Sequence, residues 1–383
     1  MQQEHKPQVD VVLLSLVVCL FLFSLLAIYS GSGQYVEGDL FYFAKRQAIW
    51  YIVGLLIMAA AASFDYELLD RLTFWLYLAG VGMLLLVHFV GLSKKGSQRW
   101  LDLGVFELQP SEFMKIFLIL VLASQLSKLG TDRISLKASI SVTLKVLGIA
   151  LVPFALILVQ PDLGSALIMA VIASVMIFAS SISWKMLTML LTGAVSLAGG
   201  FIYMYANHLD ILTKVFKPHQ LGRIYGWLNP IESGSDYGYQ LKQAMMGIGS
   251  GQLTGSGFTQ GTQVQNGSVP EVHTDFIFAV VGEEFGFIGS ALLLCIYFLL
   301  IYRIIIISLK ANNLFGVYIC VGTVGLLMFQ VFQNIAMTIG LMPITGVALP
   351  FMSYGGSSLM TNMLALGLVF SVQMRSRRYM FGH

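Results

Sequence analysis

VVLLSLVVCLFLFSLLAIYS, residues 11–30, runs twenty positions without a single charge. A helix rising about 1.5 Å per residue needs roughly 20 such residues to cross a bilayer core, so this stretch is long enough to span one. Asp10 stands directly in front of it and no clear small-residue cleavage site follows. It therefore reads as a retained helix rather than a removable signal peptide. Working outward with the same ruler gives ten spans, at about 10–30, 46–64, 73–90, 112–127, 141–159, 163–181, 185–206, 275–305, 315–338 and 357–374. The whole chain fits that reading: 383 residues, 57% hydrophobic and 11% charged, far too apolar for an ordinary soluble protein.

The expected architecture is an all-α polytopic membrane protein, one integral membrane domain over residues 1–383. It is a ten-helix bundle with a large extracytoplasmic loop between the seventh and eighth spans. An even number of spans puts both termini on one side. Arg375, Arg377 and Arg378, with Lys128, Arg133 and Lys137 in a short loop, assign that side to the cytoplasm. The opposite side still carries Lys45, Arg46, Lys94, Lys95, Arg99, Lys115, Arg223 and Lys242. Long loops translocate regardless of charge, which covers the residues after Asn207 but not the cluster from Lys94 to Lys115. That cluster points to an anionic ligand such as a phosphate group. Cys19, Cys295 and Cys320 all fall inside spans without metal-ligand spacing and read as packing residues.

The loops carry the remaining information. Gln109-Pro110-Ser111-Glu112 has proline and an acid where a helix begins. Gln160-Pro161-Asp162-Leu163-Gly164 is short enough to force an antiparallel hairpin of the fifth and sixth spans. Behind Asp236, the stripe Leu241, Ala244, Met245 and Ile248 predicts an amphipathic helix lying flat at the outer interface. The Gly-, Ser-, Thr- and Gln-rich run from Gly247 to Gly267 is expected to be irregular and mobile. Between Gly340 and Ser358, prolines and glycines break the helix while the flanks stay apolar. Non-helical backbone at membrane depth has to be buried in protein or line a cavity, so a cleft is expected there.

Pro270-Glu271-Val272-His273-Thr274-Asp275 closes the long polar loop and leads into an apolar helix. On residues alone, Thr274 or Asp275 is either a helix cap or a carboxylate kept at a membrane boundary for chemistry.

Several segments together resemble one family. They are Lys95-Gly96-Ser97-Gln98-Arg99-Trp100-Leu101 with Gln109-Pro110-Ser111-Glu112, then Gln160-Pro161-Asp162-Leu163-Gly164, then Pro270-Glu271 with His273-Thr274-Asp275-Phe276. Asn334 with Gly340, Pro343, Gly346 and Ser353-Tyr354-Gly355-Gly356-Ser357-Ser358 completes the set. In order and spacing these resemble the shape, elongation, division and sporulation family, the RodA, FtsW and SpoVE group of bacteria. Gly261-Thr262-Gln263 and the short N-terminal tail are more similar to the elongation member. One departure is Asn229 in Leu228-Asn229-Pro230, where the family pattern has an aspartate; an acid role there is excluded.

The resemblance implies ten helices and a peptidoglycan glycosyltransferase that polymerises lipid II at the outer face of the cytoplasmic membrane. It also implies a class B penicillin-binding protein as the cross-linking partner, and Asp275 as the catalytic residue. As a general base Asp275 would take the proton of the acceptor 4-hydroxyl. The departing lipid diphosphate calls for cations, for which Lys115, Arg46, Arg99, Arg223 and Lys242 are candidates. Glu112 and Lys115, three apart, share a helix face and read equally as a boundary ion pair. Arg99-Trp100 is either a sugar or acyl platform or an interfacial anchor. Asp162 is a second polar wall or a helix cap, and His273 either positions Asp275 or the substrate, or is plain surface. Glu283 and Glu284 read as bundle-internal hydrogen-bonding groups ahead of an inward proton relay. No Asp-x-Asp pair occurs, so no metal ligands are assigned; a divalent cation carried with the diphosphate remains open. A lipid II flippase is the competing function, and a pure scaffold the third.

Overall fold

The structure, a computed structural model, describes residues 10–32, 41–94, 97–102, 104, 107–208, 218–230 and 236–376. Lys95, Arg377 and Arg378 of the sequence reading lie outside these residues. The helices are α1 Val11–Ser32, α2 Tyr42–Ser63, α3 Tyr66–Val90, α4 Pro110–Ser127, α5 Leu136–Val159, α6 Leu163–Phe178 and α7 Trp184–Asn207. They continue as α8 Pro218–Leu228, α9 Asp236–Ser250, α10 Thr262–Gln265, α11 Ile277–Glu284, α12 Gly286–Leu309, α13 Leu314–Thr338 and α14 Gly356–Arg375. Among the described residues nine helices are long and apolar enough to cross a membrane, and α6 is a shorter apolar helix of 16 residues. Together they make the ten expected crossings of a multi-pass membrane protein. At about 24 Å, α6 is short for a span. It packs between α4, α5 and α13, so protein rather than lipid covers much of it.

Several helices begin before the apolar runs that announced them. Asp65 caps α3 by accepting from Glu67 N–H at 2.9 Å, and Ser135 caps α5 by accepting from Ala138 N–H at 3.4 Å. A cap satisfies first-turn donors, so the helix continues into polar residues that hydropathy alone omits. The loop between α3 and α4 adds a small antiparallel sheet the sequence reading did not place. Its strands are β1 Leu92–Lys94, β2 Ser97–Asp102 and β3 Glu107–Leu108, in the order β1-β2-β3, with Leu92 opposite Trp100 and Leu101 opposite Leu108.

The eighth span differs from expectation. Instead of one helix over 275–305, the chain forms α11 and α12 with a break at Phe285–Gly286, where Gly286 has φ +63°. A neighbouring loop fills the break. Ser256 and Gly257 N–H donate to the Glu283 and Glu284 carbonyls at 2.9 and 3.2 Å. Phe287 and Ile288 N–H donate to the Gln252 and Leu253 carbonyls at 2.9 and 3.1 Å. Backbone groups freed by the break thus find partners, as they must at a membrane boundary. The approach is so close that a Cβ at Gly286 would fall 2.3 Å from Gly255 N, and one at Gly251 2.0 Å from Gly282 O. Glycine is the only residue without a side chain to collide there.

Two expectations for the long loop are corrected by the same contacts. The run after Gly247 is hydrogen-bonded to the broken helix through its backbone, and Thr262–Gln265 within it is helical rather than irregular. The face of α9 formed by Leu241 and Ala244 is buried against protein, chiefly α11 and α8, rather than resting on lipid, and Met245 is exposed. Backbone hydrogen bonding across the break supplies an attachment that an amphipathic pattern cannot show.

The centre of the bundle is α4, α13 and α14, each buried over most of its length. α14 lies along α2, with Gly54 against Met363 and Gly367 against the Met58 carbonyl. α7 is peripheral; only Met186 and Leu187 near its start are buried.

Residues 339–355 return as non-helical backbone between α13 and α14, with most of 344–353 buried. Their carbonyls are taken up by surrounding helices. Ser24 Oγ donates to Met352 O at 2.8 Å, Gln47 Nε2 to Ser353 O at 3.2 Å, Tyr297 Oη to Pro350 O at 2.5 Å and Tyr51 Oη to Phe351 O. This is the protein-lined irregular segment the sequence requires at the end of the bundle.

Candidate active site

Asp275 is half-buried, immediately before α11. The cap position of α11 belongs to Phe276, and no side chain there makes a capping bond. The backbone around Asp275 is fixed from two elements. Asn334 Nδ2, on α13, donates to Asp275 O at 2.8 Å and to Val347 O at 2.7 Å. Ser353 Oγ donates to Thr274 O at 2.6 Å, and Tyr354 N–H donates to His273 O at 2.9 Å. Upstream, Glu271 turns the chain at φ +54° and accepts at its carbonyl from Thr274 and Phe276 N–H at 3.1 and 3.3 Å. Behind the carboxylate is Gly346, in the left-handed region at φ +74°, where a Cβ would stand 3.3 Å from Asp275 Oδ2. The returning loop and the segment before α11 thus form one hydrogen-bonded unit that presents Asp275.

Around this unit the contacts close a ring. Gly164, at the start of α6, sits against Val347 and Thr345 of the returning loop. Asp162 caps α6 by accepting from Ser165 N–H at 3.1 Å and accepts from Gln109 Nε2 at 3.3 Å. Gln109 N–H donates to Ser357 Oγ at 3.1 Å, joining the start of α4 to the start of α14. On the other side Phe43 packs with His273 at 4.5 Å between ring centroids and edge-on with Tyr354 at 5.0 Å. Arg46, one turn along α2, is exposed, lies over the Tyr42 ring at 4.8 Å and hydrogen-bonds the Tyr354 side chain.

The candidate cations divide by situation. Lys115 is fully buried, its Nζ 2.7 Å from Glu112 Oε1. Arg99 clamps the α5–α6 turn: Nε donates to Gln160 O at 3.0 Å, Nη2 donates to Pro161 O, and Nη1 stands 3.7 Å from Asp162 Oδ1. Trp100 is half-buried in β2. Arg223, on α8, lies over Tyr237 at 5.3 Å, and Lys242 is exposed on α9. Trp227 Nε1 donates to Gly340 O at 2.8 Å, docking α8 on the end of α13. Arg99 and Asp162 thus act on the hairpin turn. Asp162→Ala removes a cap worth about 1 kcal/mol. A lower thermal midpoint with activity of the folded fraction within about threefold is expected; a larger activity loss in fully folded protein would make Asp162 part of the site.

Glu283 and Glu284 stand near the C-terminal end of α1, where Ser30 Oγ donates to Glu284 Oε1 at 2.5 Å. Glu283 accepts from Gln263 and Val264 N–H at 2.7 and 3.0 Å. Burial pushes its carboxyl above the usual carboxylate value, and the two amides oppose that shift. Both acids work as hydrogen-bonding anchors of the loop. Among the described residues no group of three His, Cys, Asp or Glu is placed to hold a metal. Phe43 and Gln47 escaped the sequence reading; both lie in the first turns of α2, Phe43 three before Arg46 and Gln47 four after Phe43, and that spacing is the signal that reaches them.

Comparison with known proteins agrees with this layout. Residues 10–378 match the family model of FtsW, RodA and SpoVE, described as a cell cycle protein. Stage V sporulation protein E of Bacillus subtilis is 34% identical over 97% of this chain and 99% of its own. Peptidoglycan glycosyltransferase MrdB of Escherichia coli is 35% identical over 96% and 94%. Among solved structures, a chain of a peptidoglycan synthase complex coordinating polymerization and crosslinking is 30% identical, covers 95% of this chain and 97% of its own, and has a TM-score of 0.74. The rod shape determining protein RodA of Thermus thermophilus is 28% identical over 95% and 96%, with a TM-score of 0.67. Matched along almost its whole length in sequence and in fold, the chain belongs to the shape, elongation, division and sporulation family.

Proposed function

We propose that this chain is a peptidoglycan glycosyltransferase that polymerises lipid II into glycan strands during cell elongation. The reaction takes place at the outer face of the cytoplasmic membrane, with both termini in the cytoplasm. The observation that carries this is Asp275: a half-buried carboxylate at the mouth of the bundle, its backbone fixed by Asn334, Ser353 and Tyr354. The acceptor 4-hydroxyl oxygen attacks the anomeric carbon of the donor, and its proton passes to Asp275. The bond from that carbon to the lipid diphosphate breaks with both electrons leaving on the diphosphate. One displacement inverts the anomeric centre. The leaving group needs cations, not an acid, and Arg46 is the exposed guanidinium on the Asp275 side of the ring.

The relatives support the activity through their names, and the synthase complex supports a cross-linking partner, which we assign as a class B penicillin-binding protein. Elongation rests on Gly261-Thr262-Gln263, since relatives named for sporulation and for glycosyl transfer are equally distant at 34–35%. The test is glycan length on a gel after mixing the purified chain, its partner and lipid II. Lipid II crossing vesicle membranes with no polymer formed would favour the flippase instead.

Arg46→Ala is expected to lower kcat/KM for lipid II about three- to tenfold, roughly 1 kcal/mol for one exposed charge-assisted contact. An unchanged kcat/KM would move the diphosphate away from α2.

A further inference from the structure

Glu112, Lys115, Gln330, Asn334, Thr361 and Asn362 are all buried. Glu112 Oε2, Gln330 Oε1, Asn334 Oδ1, Thr361 Oγ1 and both amide atoms of Asn362 have no hydrogen-bond partner among the described residues. Native interiors rarely leave such groups unmet, so this concentration of them needs a reason.

They come from three helices, and helix geometry brings them to one level. Glu112 and Lys115 share the face of α4 that carries Ile119, and Ile119 packs on α13 at Gly322, where a Cβ would fall 2.6 Å from its Cγ2. Counting outward from that contact, Glu112 is about 10 Å along α4 and Gln330 about 12 Å along the antiparallel α13. Gln330 lies about 80° around α13 from Gly322 and about 40° from Gly316, at 3.6 residues per turn. Gly316 packs on Val372 of α14, so Gln330 projects into the junction of α4, α13 and α14. Ser357, bonded to Gln109, sets α14 level with α4. Thr361 is one turn inward on the same face, about 6 Å deep, against about 4.5 Å for Glu112 and 9 Å for Lys115. Asn334, one turn outward of Gln330, closes the top with its Nδ2 on the Asp275 carbonyl.

The chemistry of these groups selects their ligand. Lys115 has three N–H donors and gives one to Glu112, while most of the unmet atoms are acceptors. A metal cation would meet the oxygens, but the ammonium would repel it and keep its spare protons. A diphosphate would meet the ammonium, but the Glu112 carboxylate already paired with it would repel the anion. Water donates and accepts, and serves both. We propose that this junction is a hydrated chamber in which ordered water bridges Lys115 and Glu112 to Gln330, Thr361 and Asn334. Lys115 is then a positioning residue: it acts through water on Asn334 and so on the segment carrying Asp275, and does not grip the diphosphate.

The kinetic part of this assignment rests on the polymerase reading; the chamber itself does not. A density map of the wild-type chain with its partner, fine enough to show ordered water, is expected to place water on Lys115 Nζ and on Gln330 Oε1. A collapsed junction, a metal ion there, or phosphate density after adding lipid II overturns the proposal. In polymerisation assays, Lys115→Met and Gln330→Leu are each expected to lower kcat about tenfold or more with KM within about threefold. A tenfold rise in KM at unchanged kcat for Lys115→Met makes it a direct ligand and also overturns the proposal. Should Lys115→Met fail to fold, the double variant Glu112→Gln/Lys115→Met removes both charges together and carries the same comparison. The map decides the chamber even if the wild type polymerises nothing, a result that strikes the polymerase reading alone.

Discussion

Asp275→Asn is expected to cut glycan polymerisation by about 10²–10⁴-fold, the usual worth of general-base assistance, while the protein folds and binds its partner as before. The substitution is nearly isosteric and removes the basic oxygen. It spares the anchors, because Asn334, Ser353 and Tyr354 donate to the backbone carbonyls of Asp275, Thr274 and His273. Lost activity would therefore report on proton transfer rather than on a displaced loop. Glycan length on a gel, with thermal midpoint measured alongside, separates the two. Near-normal strands from folded Asp275→Asn protein would remove Asp275 as the base, and the proposed mechanism with it.

Much of the fold was legible because a bilayer imposes one strong rule, that buried backbone must satisfy itself, and apolar runs of spanning length follow from it. The same rule pointed to the returning loop from Pro343, Gly346 and Pro350. What stayed hidden was the break at Phe285–Gly286. Gly282-Glu283-Glu284-Phe285-Gly286 does interrupt the apolar run there, but the break is stabilised by the Gln252 and Leu253 carbonyls and the Ser256 and Gly257 amides, some thirty positions away in sequence. Long-range backbone pairing of this kind leaves no periodic trace. At the site, Asp275, His273 and Asn334 stood in motif segments, and the Glu112–Lys115 pair followed from i, i+3 spacing. Arg99 and Asp162 carried the same chemical promise in sequence. The structure spends much of their hydrogen bonding on the α5–α6 turn, because a three-residue connection between antiparallel helices leaves carbonyls and a helix start to be satisfied.

Asn334→Leu is expected to have the second largest effect, and for a different reason. Asn334 is fully buried and its one amide group donates to two carbonyls, Asp275 O at 2.8 Å and Val347 O at 2.7 Å. It thus joins the segment carrying Asp275 to the returning loop. Leucine fills a similar volume but donates nothing, leaving two buried acceptors unmet at about 1–3 kcal/mol each. The folded state therefore loses several kcal/mol, and the surviving folded molecules no longer hold Asp275 against Gly346. A displacement of about 1 Å at a reacting group is enough to cost on the order of 10²-fold in rate. Both a lowered thermal midpoint and at least a hundredfold loss of polymerisation, normalised to folded protein, are therefore expected. Asn334→Asp sharpens the test, since it keeps the shape but turns carboxylate oxygens toward the two carbonyls, and it is expected to be no better than leucine. If either variant, once folded, polymerises within about threefold of wild type, Asp275 is held by something other than this bridge, and the coupling of the two loops through α13 is wrong.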